Sequence, residues 1–307
     1  MNALATMTLA EWRKAWRKKR FLVLAGFFLL LVPGAQLASA AFLQSRLAET
    51  AFDPQGLVNV GLRQIATPYN LARNNLGATL PGLALVLCAI LGSFLISEDR
   101  GYRMFKVNLT LGRPRAEVLA AKFLAGLGIL GVIALSGLVG SVLVGLLAPA
   151  FGMGLDLSGD WPALLGVYLL QWLVLAAPLA LAFLLATLLA SPALVVIGVV
   201  VLPALVENLL RALVFTQVGR LSVLNAPFQA SRVQDNLAGL NPYLLTPNLN
   251  LGGAYLGEQV TGFIRQAGAN AVFDPAAIGH QVLVCAVYAA VFIALTVATF
   301  RRRDVND

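Results

Sequence analysis

Apolar positions run in six long blocks, separated by stretches where charge and turn residues gather. The blocks fall at about residues 21–42, 79–97, 118–149, 161–190, 193–215 and 279–300. A helix needs roughly 20 apolar residues to cross a bilayer, so each block predicts one span. The third is longer than a bilayer requires, and its first turns are expected to project from the membrane. Pro33 interrupts the first block, with Gln36 and Ser39 behind it; Pro178 lies inside the fourth and Pro203 inside the fifth. In the third, Gly137, Ser141 and Gly145 recur every fourth position, a pattern that lets another helix approach closely. The expected fold is all-α and polytopic, with residues 1–307 as one transmembrane domain.

The polar stretches predict smaller elements. Residues 7–20 read as an amphipathic helix. Thr8 and Glu11 have the T-x-x-E spacing of a capping box. Leu9, Trp12 and Trp16 make one apolar edge, and Arg13, Lys14, Arg17 and Lys18 fill much of the rest. Such a helix lies in the headgroup plane of the lipid bilayer, with Trp12 and Trp16 as interfacial anchors and its cations toward anionic lipid. Residues 43–78 are mixed and polar, with turn signals at Asp53-Pro54-Gln55-Gly56 and Thr67-Pro68-Tyr69-Asn70. Residues 216–278 hold no span-length run. Asn225-Ala226-Pro227, Asn241-Pro242-Tyr243, Thr246-Pro247-Asn248 and Phe273-Asp274-Pro275 predict short helices joined by ordered loops.

Composition agrees with the blocks. Of 307 residues, 59% are hydrophobic and 12% charged, against about 25% charged in a soluble domain. The net charge of +8 is not a nucleic-acid signature, because the cations cluster beside apolar blocks. The two cysteines, Cys88 and Cys285, sit inside apolar blocks as small hydrophobes, which speaks against a disulfide framework and a metal site. The basic start, the apolar run from Phe21 to Val32 and Ala38-Ser39-Ala40 imitate a signal peptide; the expectation is that this segment is retained as the first span.

Charge placement gives orientation. The N-terminal helix, the stretch up to Lys122 and the tail hold 15 Lys and Arg residues; the other side holds seven, dispersed over long segments. Both termini and the hairpin after the second block are therefore expected in the cytoplasm, and residues 43–78 and 216–278 outside.

Little in the chain promises chemistry. No Gly-Lys pair occurs, so a P-loop is absent, as are G-x-S-x-G and H-E-x-x-H. The one histidine, His280, falls at the outer end of the last block and reads as structural. The chain is not expected to be an enzyme, and any work it does draws energy from a partner or an ion gradient. A gradient-driven carrier places ionisable groups near the midplane, yet the blocks are nearly bare of charge. Glu207 and Arg211, at i and i+4, are the exception; they read as an intramembrane polar pair, either functional or a self-neutralised anchor at the outer end of the fifth block.

The stretch 97–122, SEDRGYRMFKVNLTLGRPRAEVLAAK, is the longest strongly charged segment between two blocks. Asp99-Arg100-Gly101 closes the second block. Met104, Phe105, Val107 and Leu109 supply apolar positions, Arg113-Pro114-Arg115 carries a turn signal, and Ala121-Lys122 opens the third block. With the six blocks, the basic first helix and the closing Phe300-Arg301-Arg302-Arg303-Asp304, this organisation resembles the permease subunits of type-2 ABC exporters. Tyr102 stands where that family shows a threonine. The resemblance implies a partner: a cytosolic ABC ATP-binding subunit that holds ATP and Mg, so that this chain carries no cofactor of its own. It also implies a second permease copy or a homologous permease, and a place in a prokaryotic cytoplasmic (inner) membrane. Asp99, Arg100, Gly101, Tyr102, Phe105, Leu109, Arg113 and Arg115 then become the ATPase-coupling residues, with Tyr102, Phe105 and Leu109 at the i, i+3, i+7 spacing of a helix seated in a groove. The alternatives are a non-transporting membrane scaffold or assembly factor, and a gradient-driven carrier.

The charge asymmetry makes a direct prediction about topology. Cysteines placed at Asn108 and at Asn241 label from opposite faces of the membrane with an impermeant maleimide; labelling of both from outside overturns the six-span orientation.

Overall fold

The computed structural model describes residues 3–49, 66–101, 114–189, 191–215, 241–251 and 275–302. Among these, every regular element is helical. Six helices are long and apolar enough to cross a membrane: Phe21–Arg46, Leu80–Ser97, Arg115–Gly145, Trp161–Leu188, Pro192–Leu209 and Ala276–Phe300. The all-α expectation holds.

The chain opens with α1 (Ala3–Trp16). Then α2 (Lys19–Gly26), a π-helical stretch (Phe27–Leu31) and α3 (Val32–Glu49) form one rod, span 1. The expected interruption at Pro33 does not occur. A proline cannot bond the carbonyl four residues back and its ring crowds it; the wider π turns just before it relieve that crowding and carry the helix on. Next, α4 (Pro68–Asn74) runs through a second π stretch (Asn75–Thr79) into α5 (Leu80–Gly101), span 2. Thr67-Pro68-Tyr69-Asn70 is thus a helix start rather than a turn. The Thr67 hydroxyl accepts the Asn70 N–H at 3.3 Å, and Pro68 takes the first helical position, where its missing N–H costs nothing.

Span 3 is α6 (Arg115–Gly145). Span 4 is two helices, α7 (Trp161–Val174) and α8 (Ala176–Leu188), divided at Leu175. Pro178 explains the division, since it withholds an N–H from the turn before it. Asp160 caps α7 by accepting the Ala163 N–H at 3.1 Å. In the loop before it, hydrogen bonds from Ser158 hold the exposed Asp156 carboxyl below the ordinary carboxylate range. Span 5 is α9 (Pro192–Phe215), span 6 is α11 (Pro275–Arg302), and between them lies the four-residue α10 (Leu245–Asn248).

Span 4 is the centre. Every side chain from Ala177 to Thr187 is buried. Two-thirds of its apolar window is covered, against about a fifth for spans 5 and 6. Spans 2, 5 and 6 pack around α8. The closest approach is at Gly92 of span 2, where a Cβ would collide with Ala182. Spans 1 and 3 form the flank, with α1 and α4 laid on span 3.

The small-residue face of span 3 does receive close neighbours, and they come from the same chain. The Leu29 carbonyl of span 1 occupies the place of a Cβ on Gly140, Asn75 that of one on Gly137, and the Pro68 backbone lies 2.6 Å from the Cβ position of Gly145. Lipid cannot drive helices together as water does, so such backbone approach is what fixes their packing.

A single methyl group tests this. Gly140→Ala forces the Leu29 carbonyl to move and is expected to cost about 1–3 kcal/mol, read as a lower melting temperature in detergent. Gly166, with no atom within 4 Å of its Cβ position, is the control: Gly166→Ala should be neutral or slightly stabilising.

Candidate functional site

The polar side chains that the fold brings together lie at the two ends of the bundle. At the first end meet α1, the start of span 3, the last turn of α5 and the last turn of α11. Glu11 and Lys122 form an ion pair with Oε1 and Nζ 3.0 Å apart. The Lys122 side chain is fully buried and that of Glu11 is 16% exposed, so this pair lies between helices rather than on a surface. Beside it, the Trp12 ring fills the space above Gly128, where any Cβ would strike it, and Ala15 is buried in the main core.

Two expectations about α1 change accordingly. The helix starts at Ala3, so Thr8 is interior and its hydroxyl donates back to the Leu4 carbonyl at 2.9 Å. The capping box therefore does not form; Ala3, Leu4 and Ala5 are good helix formers that extend the helix upstream, and Glu11 has gained a buried cation. Trp12 is a packing residue against span 3, in ring contact with Trp16 at 5.8 Å between centroids.

The residues expected to couple to an ATPase fall partly within this end. Asp99, Arg100 and Gly101 close α5. Tyr102, Phe105, Leu109 and Arg113 lie outside the described residues. Arg115, in the first turn of α6, donates from Nη1 to the Phe300 carbonyl at 3.0 Å. It thus satisfies an orphan carbonyl at the negative end of α11, where a cation is favoured. Both roots of the hairpin therefore stand on one base made of α1, span 3 and span 6.

At the opposite end, residues 241–251 are tucked among spans 4, 5 and 6. Leu245, Asn248, Leu249 and Leu251 are buried, and a buried backbone whose helical pieces are only one turn long must find further hydrogen bonds within the protein. Side chains of the spans provide them. Gln171 donates from Nε2 to the Leu249 carbonyl at 2.8 Å and accepts the Leu251 N–H at 3.1 Å. Glu207 Oε1 accepts the Thr246 N–H at 2.8 Å. Asn248 donates to the carbonyls of Pro242 and Leu244, Cys285 donates to that of Asn248 at 3.4 Å, and the His280 ring meets Pro242 at 3.0 Å. Gln171 is ten residues into span 4, about 15 Å along the helix, so the segment reaches well past the bundle's end. Glu207 is thereby given a described partner other than Arg211, whose side chain lies outside the described residues. His280 packs here, its ring centroid 5.2 Å from that of Tyr243.

Sequence reasoning missed Gln171 and the Glu11–Lys122 pair. A lone glutamine in the run Tyr168-Leu-Leu-Gln-Trp172 was the available signal, since an isolated carboxamide in a span needs a partner. For Glu11 and Lys122 no local spacing could have served.

A helical bundle of six spans with a polar base at one end and a buried polar seat at the other is a multi-pass membrane protein. The chain belongs to the ABC-2 family transporter proteins, whose sequence model matches residues 6–305. No curated protein matches it.

The buried pair makes a quantitative prediction. Glu11→Gln strips the carboxylate from a buried ammonium and should cost about 3 kcal/mol, toward the lower end for breaking a buried pair because Glu11 keeps some solvent contact. The charge reversal Glu11→Lys with Lys122→Glu should recover part of the loss in thermal unfolding. Equal losses for the single and reversed variants would show that the two charges do not interact.

Proposed function

We propose that the protein is the membrane-spanning subunit of an ATP-driven ABC exporter, lining a translocation path and taking its energy from a separate cytosolic ATP-binding subunit that carries ATP and Mg. Membership of the ABC-2 family over nearly the whole chain is the observation that carries this reading. Both termini and the hairpin lie in the cytoplasm of a prokaryotic cell, with the protein in its inner membrane, and two permeases, identical or related, face each other across the path.

In this reading residues 102–109 form the short helix that seats in a groove on the ATPase, with Tyr102, Phe105 and Leu109 as apolar anchors and Asp99, Arg100, Gly101, Arg113 and Arg115 holding its roots. The geometry of the base supports it. A push on the hairpin enters span 2 through α5 and span 3 through α6, while Arg115 ties that same corner to the end of span 6 and Lys122 ties it to α1. Closure of the ATPase thus has rigid elements to act on rather than a loose loop.

Truncating an aromatic anchor in a groove costs about 2 kcal/mol or more, which weakens association more than tenfold. Phe105→Ala should release the ATPase or uncouple its hydrolysis from transport while the permease still inserts. Lys106→Ala should be mild, since rim charges act mainly on association rate. Pull-down of the ATPase and its turnover in the assembled complex measure both. Unchanged binding and turnover in Phe105→Ala and Tyr102→Ala alike would overturn the coupling role.

A further inference from the structure

Between the elbow that joins α1 to span 1 and the last turn of span 2 lies a cleft lined by Lys14, Ala15, Lys18, Phe21, Phe94 and Leu95. The break in the helix makes the elbow. α1 ends at Trp16, and Lys18 is extended (φ −89°, ψ 111°) before α2 starts at Lys19. Lys14 and Lys18 therefore reach the cleft from either side of the break. Its walls set its level in the bilayer. Phe21 is the first residue of span 1, and Phe94 and Leu95 lie in the last turn of span 2, which closes at Ser97. The apolar wall thus belongs to the edge of the hydrocarbon and the two lysines to the headgroup layer, with their aliphatic stems along that wall.

Charge at this corner is one-sided. Residues 13–20 hold six Lys and Arg, against Glu11 on α1 and Glu98 and Asp99 at the close of α5. Glu11 is engaged chiefly by Lys122, at 3.0 Å, and stands 3.8 Å from Lys14, whose side chain keeps 35% of its surface open. We propose that the cleft seats one anionic phospholipid, its phosphate on Lys14 and Lys18 and the upper part of an acyl chain on Phe21, Phe94 and Leu95. Both halves of the site select that class. Ammonium groups meet phosphate oxygens as charge-assisted donors, whereas a zwitterionic lipid brings a cation of its own. A soluble anion leaves the apolar wall uncovered. A lipid held there bridges the elbow to span 2, an attachment distinct from the protein-only contacts of α1 with span 3.

The test is native mass spectrometry of the full chain in detergent, titrated with dioleoyl phosphatidylglycerol or dioleoyl phosphatidylcholine. The chain should retain one phosphatidylglycerol at concentrations where phosphatidylcholine is not held. Lys14→Gln with Lys18→Gln should weaken that retention more than about tenfold, the weight of hydrogen bonds to a charged group. Arg13→Gln with Arg17→Gln removes the same charge from two exposed positions of the same segment and should change it less than about twofold, as a distant, screened charge does. Lys14→Arg with Lys18→Arg keeps the charges and should keep the lipid, which guards against reading a folding defect as lost binding. Glycerol 3-phosphate should not displace the lipid. Equal losses in the two glutamine pairs would reveal only diffuse attraction to headgroups and overturn the proposal. So would equal retention of both lipids, loss of the lipid in the arginine pair, or displacement by glycerol 3-phosphate, the mark of a plain phosphate site. No phosphatidylglycerol retained at all would also overturn it, leaving an acidic protein segment as the occupant.

Discussion

A backbone N–H or carbonyl in hydrocarbon has no water to turn to, and much of this structure follows from that constraint. Helices satisfy it along most of the chain. Where the helix is interrupted, a side chain from another element steps in. Cys88 donates to the Leu175 carbonyl at 3.6 Å at the break in span 4, Tyr168 to the Ala72 carbonyl at 2.9 Å in α4, and Arg115 to the end of α11. The segment 241–251 is the extreme case: it can be buried because spans 4, 5 and 6 each lend a polar group to its backbone. These contacts reach across the bundle, so the same constraint that forces helices also decides which helices meet.

Close approach is the second determinant. With no hydrophobic drive between helices in lipid, contacts form where small residues let backbones come together. Gly92 against Ala182 sets span 2 on span 4, and Gly140 against Leu29 sets span 1 on span 3. Trp172 joins the two groups, its ring over Gly131 and its Nε1 donating to the Leu127 carbonyl at 2.7 Å. The outer faces of spans 5 and 6 keep large exposed side chains such as Leu205, Leu209, Leu283 and Val287, as suits surfaces turned to lipid or to a second permease.

At the base, charged side chains tie helices together, Glu11 to Lys122 and Arg115 to the end of α11. A buried ion pair is weak evidence for stability, because desolvation offsets most of its Coulomb gain. What it marks is register: α1 lies on span 3 with Glu11 at Lys122 and Trp12 at Gly128. A helix that composition alone would float in the headgroups is thereby made part of the permease body.

The sequence by itself determined what depends on composition along the chain: the helical class, the six spans, the clustering of cations beside apolar blocks and the resemblance to ABC-2 permeases. Each rests on local apolar length or local motif, which a linear reading can measure. It could not rank the spans. Their hydropathies are nearly equal, yet burial runs from about a fifth in spans 5 and 6 to two-thirds in span 4, because a leucine is equally at home against lipid or protein. It read Pro33 as a break where a π turn absorbs it, and Thr67-Pro68 as a turn where a cap starts a helix. Glu11 with Lys122, and Gln171 with residues 249 and 251, are pairs separated by long stretches of chain. Only the tertiary structure decided them, since what joins such groups is the penalty for leaving a polar atom buried and alone, and that penalty exists only once the helices have packed.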